Sequence, residues 1–119
     1  MKRLILEIGS GVDLYGLDYT KAATRAVQET LRHSSITLFR SLQIEHTVMR
    51  VVVTIGVQNP DAVDRQAVLD QIPRGNPELK VVFGGQNVLD DDGNVQSVIA
   101  TCAIEAFVPD LSNQYAVTS

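Results

Sequence analysis

The sequence predicts a single α/β (α+β) domain with the order β-α-β-α-β-β, a mixed four-stranded sheet carrying two helices on one face. Three observations predict it. Four segments alternate apolar and other residues with the two-residue period of a pleated strand. Two stretches between them have helix-starting residues and helical spacing. A run ending in Asp92-Gly93 separates the last two strands, as in a hairpin.

The first strand is read over Arg3 to Ile8, where Leu4, Leu6 and Ile8 alternate with Arg3, Ile5 and Glu7. The first helix is expected from Tyr19 to about His33, with Asp18 as its N-cap. Ala22, Ala26 or Val27, and Thr30 or Leu31 share one face, and their small size suits close packing on a sheet. Ile36 to Phe39 is read as a further turn. The second strand is Val48 to Val57, ended by Asn59-Pro60. Asp64 is placed as the cap of a short helix from Arg65 to Gln71, stopped by Pro73. Arg74 to Pro77 reads as a turn. The third strand, Glu78 to Val88, contains Gly84-Gly85, the mark of a bulge or a close backbone approach. The fourth strand is Val95 to Val108, and the polar residues Asp110 to Ser119 form a tail after a domain spanning 1–109.

The stretch Ile8 to Gly16 is the candidate site. Gly9, Gly11 and Gly16 permit positive φ and close approach, and Asp13 is the ionisable side chain among them. A loop between a strand and a helix can present backbone N–H groups to a ligand. Asp13 disfavours a phosphate and suits a hydroxyl, an ammonium, a metal or an N–H of its own loop. Leu14 stands where a dinucleotide fingerprint needs its third glycine, and no Gly-Lys-Ser/Thr follows. A turn capped by Asp13 and a ligand site account equally well for these residues.

Gly9, Gly11, Asp13 and Gly16 resemble the Gly-x-Gly-x-Asp-x-His-Gly signature of a small conserved family of uncharacterised proteins. That family occurs in bacteria and, with a long N-terminal extension, in plants. Chain length, the Thr-Lys-Ala-Ala helix start and the Gly84-Gly85 pair extend the resemblance over most of the chain. The family has no established function, so the resemblance implies no activity. Tyr15 stands where the signature has histidine. A tyrosine donates a hydrogen bond but is a poor base near neutral pH.

The alternation sorts the strands into two faces. Leu4, Leu6, Ile8, Met49, Val51, Val53, Ile55, Leu79, Val81, Phe83, Val98, Ala100, Cys102, Ile104 and Ala106 are expected under the helices. Ile5, Glu7, Arg50, Val52, Thr54, Lys80, Val82, Ile99, Thr101, Ala103, Glu105 and Phe107 are expected on the other face. That mixture is too apolar for solvent and too charged for a sealed core, which predicts a homo-oligomer. Charge at Val52 or Ile99 is expected to weaken the assembly.

Bulk properties narrow the class. The chain has 119 residues, 45% hydrophobic, with a formal net charge of −4. It holds one packed domain and no basic cluster for nucleic acid. Cys102 lies in an apolar run and reads as a core thiol in a reducing compartment. Glu7 follows the opening Met-Lys-Arg-Leu-Ile-Leu too soon for a signal peptide, and no run suits a membrane span. A cytoplasmic location is the expectation. His33 and His46 have no metal-ligand spacing, and Asp90 to Asp92 reads as a solvated turn. No cofactor or metal is expected.

Two functions remain. One is a non-catalytic oligomer or scaffold that binds a small polar metabolite at Gly9, Ser10, Gly11, Asp13, Tyr15, Gly16, Gly84 and Gly85 and the subunit interface. The other is an enzyme using Asp13, Glu7 or Glu105 as acid or base, since a carboxylate removed from water suits proton transfer.

Overall fold

The computed structural model describes residues 2–32, 50–72 and 77–108. His33, His46, the Ile36 to Phe39 turn, Met49, the start of the second strand, most of the Arg74 to Pro77 turn and the Asp110 to Ser119 tail lie outside them.

The strands are β1 (Lys2–Asp13), β2 (Arg50–Val57), β3 (Glu78–Phe83), β4 (Gln86–Leu89) and β5 (Val95–Val108). Among the described residues the helices are α1 (Tyr19–Arg32) and α2 (Arg65–Leu69), with a 3-10 turn at Pro60–Ala62 before α2. Among the described residues the sheet is mixed, as expected, but has five strands instead of four. Its order is β1-β5-β2-β3, with β4 also paired to β5. β5 runs antiparallel to β1, β2 and β4, while β2 and β3 are parallel. The long β5 therefore lies between β1 and β2.

The fifth strand arises at Gly84-Gly85. β3 lies outside β2, whereas β4 pairs with the Val95–Ile99 end of β5, beyond the end of β2. The chain must cross past Gly56 to make that change. A Cβ on Gly84 would stand 3.2 Å from the Gly56 Cα, and one on Gly85 would fall on the Ile99 carbonyl oxygen. Gly85 also has a φ of +60°. Gln58 fastens the crossing by donating to the Gly84 carbonyl at 2.9 Å. The expected close approach is present, but it divides the third strand.

Both helices begin on aspartate caps. Asp18 Oδ1 accepts from the Lys21 N–H at 3.1 Å, and Asp64 accepts from the Gln66 and Ala67 N–H groups. α2 ends at Leu69, short of the expected Gln71. The core lies between helices and sheet: Ala22, Ala26 and Val27 from α1, Val68 from α2, Val51, Val53 and Ile55 from β2, and Val98 through Ala106 at alternate positions of β5.

β1 corrects the assignment of faces. Gly9 pairs with Cys102, Gly11 with Ala100 and Asp13 with Val98, all on the helix side of β5. Glu7 pairs with Ile104 and shares that side. Leu6 and Ile8 thus point to the open face, where they are 41% and 70% exposed. The physical reason is proximity. A Cβ on Gly9 would lie 2.9 Å from the Thr30 nitrogen, and one on Gly11 would fall on the Ala26 nitrogen and the Ala22 carbonyl oxygen. Glycine lets the alanine face of α1 rest on the strand backbone. Leucine and isoleucine do not fit there. Phe83, also expected under the helices, is exposed because β3 lies at the sheet edge beyond them.

Candidate functional site: the β1–α1 turn and the open sheet face

The expected glycine loop is shorter than the sequence implied. Gly9, Ser10 and Gly11 belong to β1, and the connection proper is Leu14 to Asp18. Gly9, Gly11 and Gly16 do not have positive φ, while Leu17 does, at +52°. That conformation is costly for leucine and must be held by its surroundings.

Asp13 holds it. The side chain is buried, with Oδ2 accepting from the Asp18 N–H at 2.9 Å and Oδ1 from Arg25 at 3.1 Å. The same Arg25 nitrogen donates to the Val12 carbonyl at 2.7 Å. Gly16 leaves room for the carboxylate, since a Cβ there would lie 2.8 Å from Asp13 Oδ2. The spacing of Asp13, Gly16 and Asp18 thus builds an internal clasp at the start of α1. It leaves Tyr15 and Leu14 exposed at the tip of the turn.

The three candidate carboxylates do not converge. Asp13 and Glu7 are six residues apart on one strand, about 20 Å at the usual rise of 3.3 Å per residue. Glu105 pairs with Leu6 and so lies on the opposite side of the sheet from Glu7. Gly84 and Gly85 are separated from Gly9 and Gly11 by the width of β5. Among the described residues, no group of three histidine, cysteine or acidic side chains is placed to hold a metal ion. None of the described helices is long and apolar enough to cross a membrane.

The open face has an apolar half and a charged corner. Leu6 and Ile8 of β1 lie beside Ala103, Thr101 and Ser10, while Arg50, Glu78, Lys80 and Glu105 lie toward β2 and β3. Arg50 grips Glu78 through two hydrogen bonds of 2.7 and 2.8 Å and lies 5.8 Å from the Phe107 ring centre. Those bonds hold the Glu78 carboxyl below its ordinary range and raise Arg50. Val52 is on this face but buried, so a charge there would disturb folding before assembly.

Cys102 is buried on the helix side. Burial pushes its thiol up to about 11, against the opposing pull of a hydrogen bond with Thr30. A thiol so protonated is a core residue and a poor nucleophile.

A family described as "conserved hypothetical protein (Lin0512_fam)" matches residues 3–106. Among solved structures, the chain is similar to the crystal structure of an FtsZ-like protein of unknown function from Nostoc punctiforme. The two share 31% identity with a TM-score of 0.75, over 90% of this chain and 95% of that one. No curated protein matches the chain.

Proposed function

Since the chain belongs to the Lin0512 family of conserved hypothetical proteins, a family that supplies no activity, we propose from the geometry that it is a non-catalytic homo-oligomer. It binds a small polar molecule where the β1 surface meets a neighbouring subunit. The carrying observation is the open face of the sheet, on which Leu6 and Ile8 are exposed beside the hydroxyls of Ser10 and Thr101. Exposed leucine and isoleucine on a strand favour association, because burying apolar surface contributes about 25 cal/mol per Å². The hydroxyls supply hydrogen bonds to a polar ligand trapped in the contact.

The geometry favours binding over acid–base catalysis. Both Asp13 oxygens are engaged inside the protein, and neither Glu7 nor Glu105 lies near it. Asp13 shapes the turn instead of facing a substrate. Light scattering at micromolar concentration tests the assembly. A mass above one chain of 13.0 kDa is expected, and Thr101→Lys or Ile99→Asp on the open face lowers it. A wild-type monomer refutes the reading. A thermal-shift screen of small polar metabolites, repeated with Thr101→Lys, tests the binding: stabilisation is expected in the wild type and absent in the variant.

A further inference from the structure

We infer that Arg25 and Arg65 guard the two outer strands of the sheet: each occupies an outward-facing backbone carbonyl, on β1 or β3, and so keeps the sheet from growing by added strands. The inference concerns extended chain arriving in the plane of the sheet and does not depend on the open-face contact proposed above.

β1 and β3 are the end strands of the order β1-β5-β2-β3 among the described residues. An outer strand presents N–H and C=O groups to any extended chain, and proteins block such edges with charged side chains, bulges and short strands. The outward groups can be located on both strands. On β1, Val12 pairs with Ile99. A Cβ on Gly85 would fall on the Ile99 carbonyl oxygen, so that oxygen faces β4 and not β1. Val12 and Ile99 are therefore a pair without mutual hydrogen bonds, and the Val12 carbonyl faces away from β5. Arg25 Nη1, from α1, donates to it at 2.7 Å. Just after β3, the Gly84 N–H donates to the Val57 carbonyl of β2 at 2.9 Å. Backbone groups alternate sides along a strand, so Val82 and Lys80 also face β2, while Phe83, Val81 and Leu79 face outward. Arg65 Nη2, from α2, donates to the Leu79 carbonyl at 2.6 Å. Each of the two helices thus sends one arginine to one edge.

Length shows what the arginines achieve. Stable strand-on-strand addition uses segments of about six or seven residues. On β1 the register shifts between Arg3 and Ile5, and Arg25 takes Val12. The outward residues left between them are Leu6, Ile8 and Ser10, a shorter stretch than addition needs. Without Arg25 that stretch runs on to the end of β1 at Asp13. β3 has six residues, and Arg65 takes the second of them. Only Lys80 to Phe83 then remain, beginning with a lysine. α1 rests on Gly9 and Gly11 and bars a whole second copy from β1. The chain that Arg25 excludes is therefore a bare extended segment, such as an unfolded copy supplies.

The test is aggregation of the full chain, followed by light scattering and thioflavin T fluorescence. Arg25→Met and Arg65→Met keep the side-chain stem and remove the donor. Each variant is incubated at the same interval below its own melting midpoint. Each is expected to form thioflavin-positive material about fivefold faster than the wild type, because an edge carbonyl is uncovered, and the double variant faster still. Arg25 also pairs with Asp13. Asp13→Asn breaks that charge pair but keeps the Val12 contact, so it should aggregate at the wild-type rate. Gly93→Ala, in the turn between β4 and β5, controls for lost stability and should do the same. Wild-type rates in both arginine variants overturn the inference. So does an Asp13→Asn or Gly93→Ala protein that aggregates as fast as they do. If Arg25→Met does not fold, Arg65→Met alone decides.

Discussion

Two pairs of glycines shape this molecule for different physical reasons. Gly9 and Gly11 sit in ordinary strand conformation, and the space above them is taken by α1. Gly84 and Gly85 sit where the chain passes the end of β2, and Gly85 needs both the space and a left-handed backbone. The first pair sets how close a helix lies to a sheet. The second sets the path of the chain within the sheet. A glycine in a sequence announces that something comes close or that φ is positive, without saying which.

Substitution separates the two reasons. The largest loss is expected for Gly11→Val, which drives two γ-carbons into the backbone of α1 at Ala22 and Ala26. Overpacking against backbone costs about 3 kcal/mol or more, and chemical denaturation measures it. A near-neutral Gly11→Val protein would mean that α1 does not rest on β1. Gly85→Ala comes next. It combines a left-handed backbone, about 1–2 kcal/mol for a residue with a Cβ, with contact against the Ile99 carbonyl. Its loss should exceed that of Gly93→Ala, because Gly93 shares the positive φ but has open space around it. Gly93→Ala is therefore the conformational control, at about 1 kcal/mol. Equal losses at positions 85 and 93 would show that the crossing past Gly56 is not tight.

Asp13→Asn gives a loss on the order of 1 kcal/mol, the usual scale of a lost cap, because the amide retains one acceptor but cannot pair with Arg25 as a charge. A larger loss with unchanged assembly would show that the clasp governs more than the turn. The smallest effect concerns Cys102. With its thiol pushed up to about 11 by burial, it should stay unreactive toward an aromatic disulfide reagent at pH 8 and react on unfolding. Rapid modification of the native protein would mean that the space between α1 and β5 opens readily.

Acidification has a defined direction at the Arg50–Glu78 pair. Glu78 is held below its ordinary value in the folded chain. Its contribution is present above the unfolded carboxyl range and is lost as pH falls through the lowered folded value. Both groups are at the surface, so salt should mute the change.

Much of the frame was legible in the sequence. β5 matches its expected limits, α1 begins at the expected Tyr19, and Asp18 and Asp64 cap their helices. Alternation also identified the buried face of β2 and β5, where valine and isoleucine on a two-residue period meet two covering helices. Local signals suffice there because caps and alternation act within a few residues. The candidate site was less legible. Asp13 stood out as the ionisable group among glycines, but its partners Asp18 and Arg25 are brought to it only when α1 folds back over β1.

What the sequence determined by itself is the two described helices and their caps, the strands other than the one split at Gly84-Gly85, the hairpin turn and the two side-chain sets of each strand. Only the tertiary structure decided which set of β1 meets the helix. A period of two divides a strand into faces but does not say which is inside. Hydropathy favoured Leu6 and Ile8, and close packing chose Gly9 and Gly11. The tertiary structure also placed β5 between β1 and β2 and moved the chain past Gly56 into a fifth strand. Strand order depends on contacts between distant residues, which a local pattern does not contain.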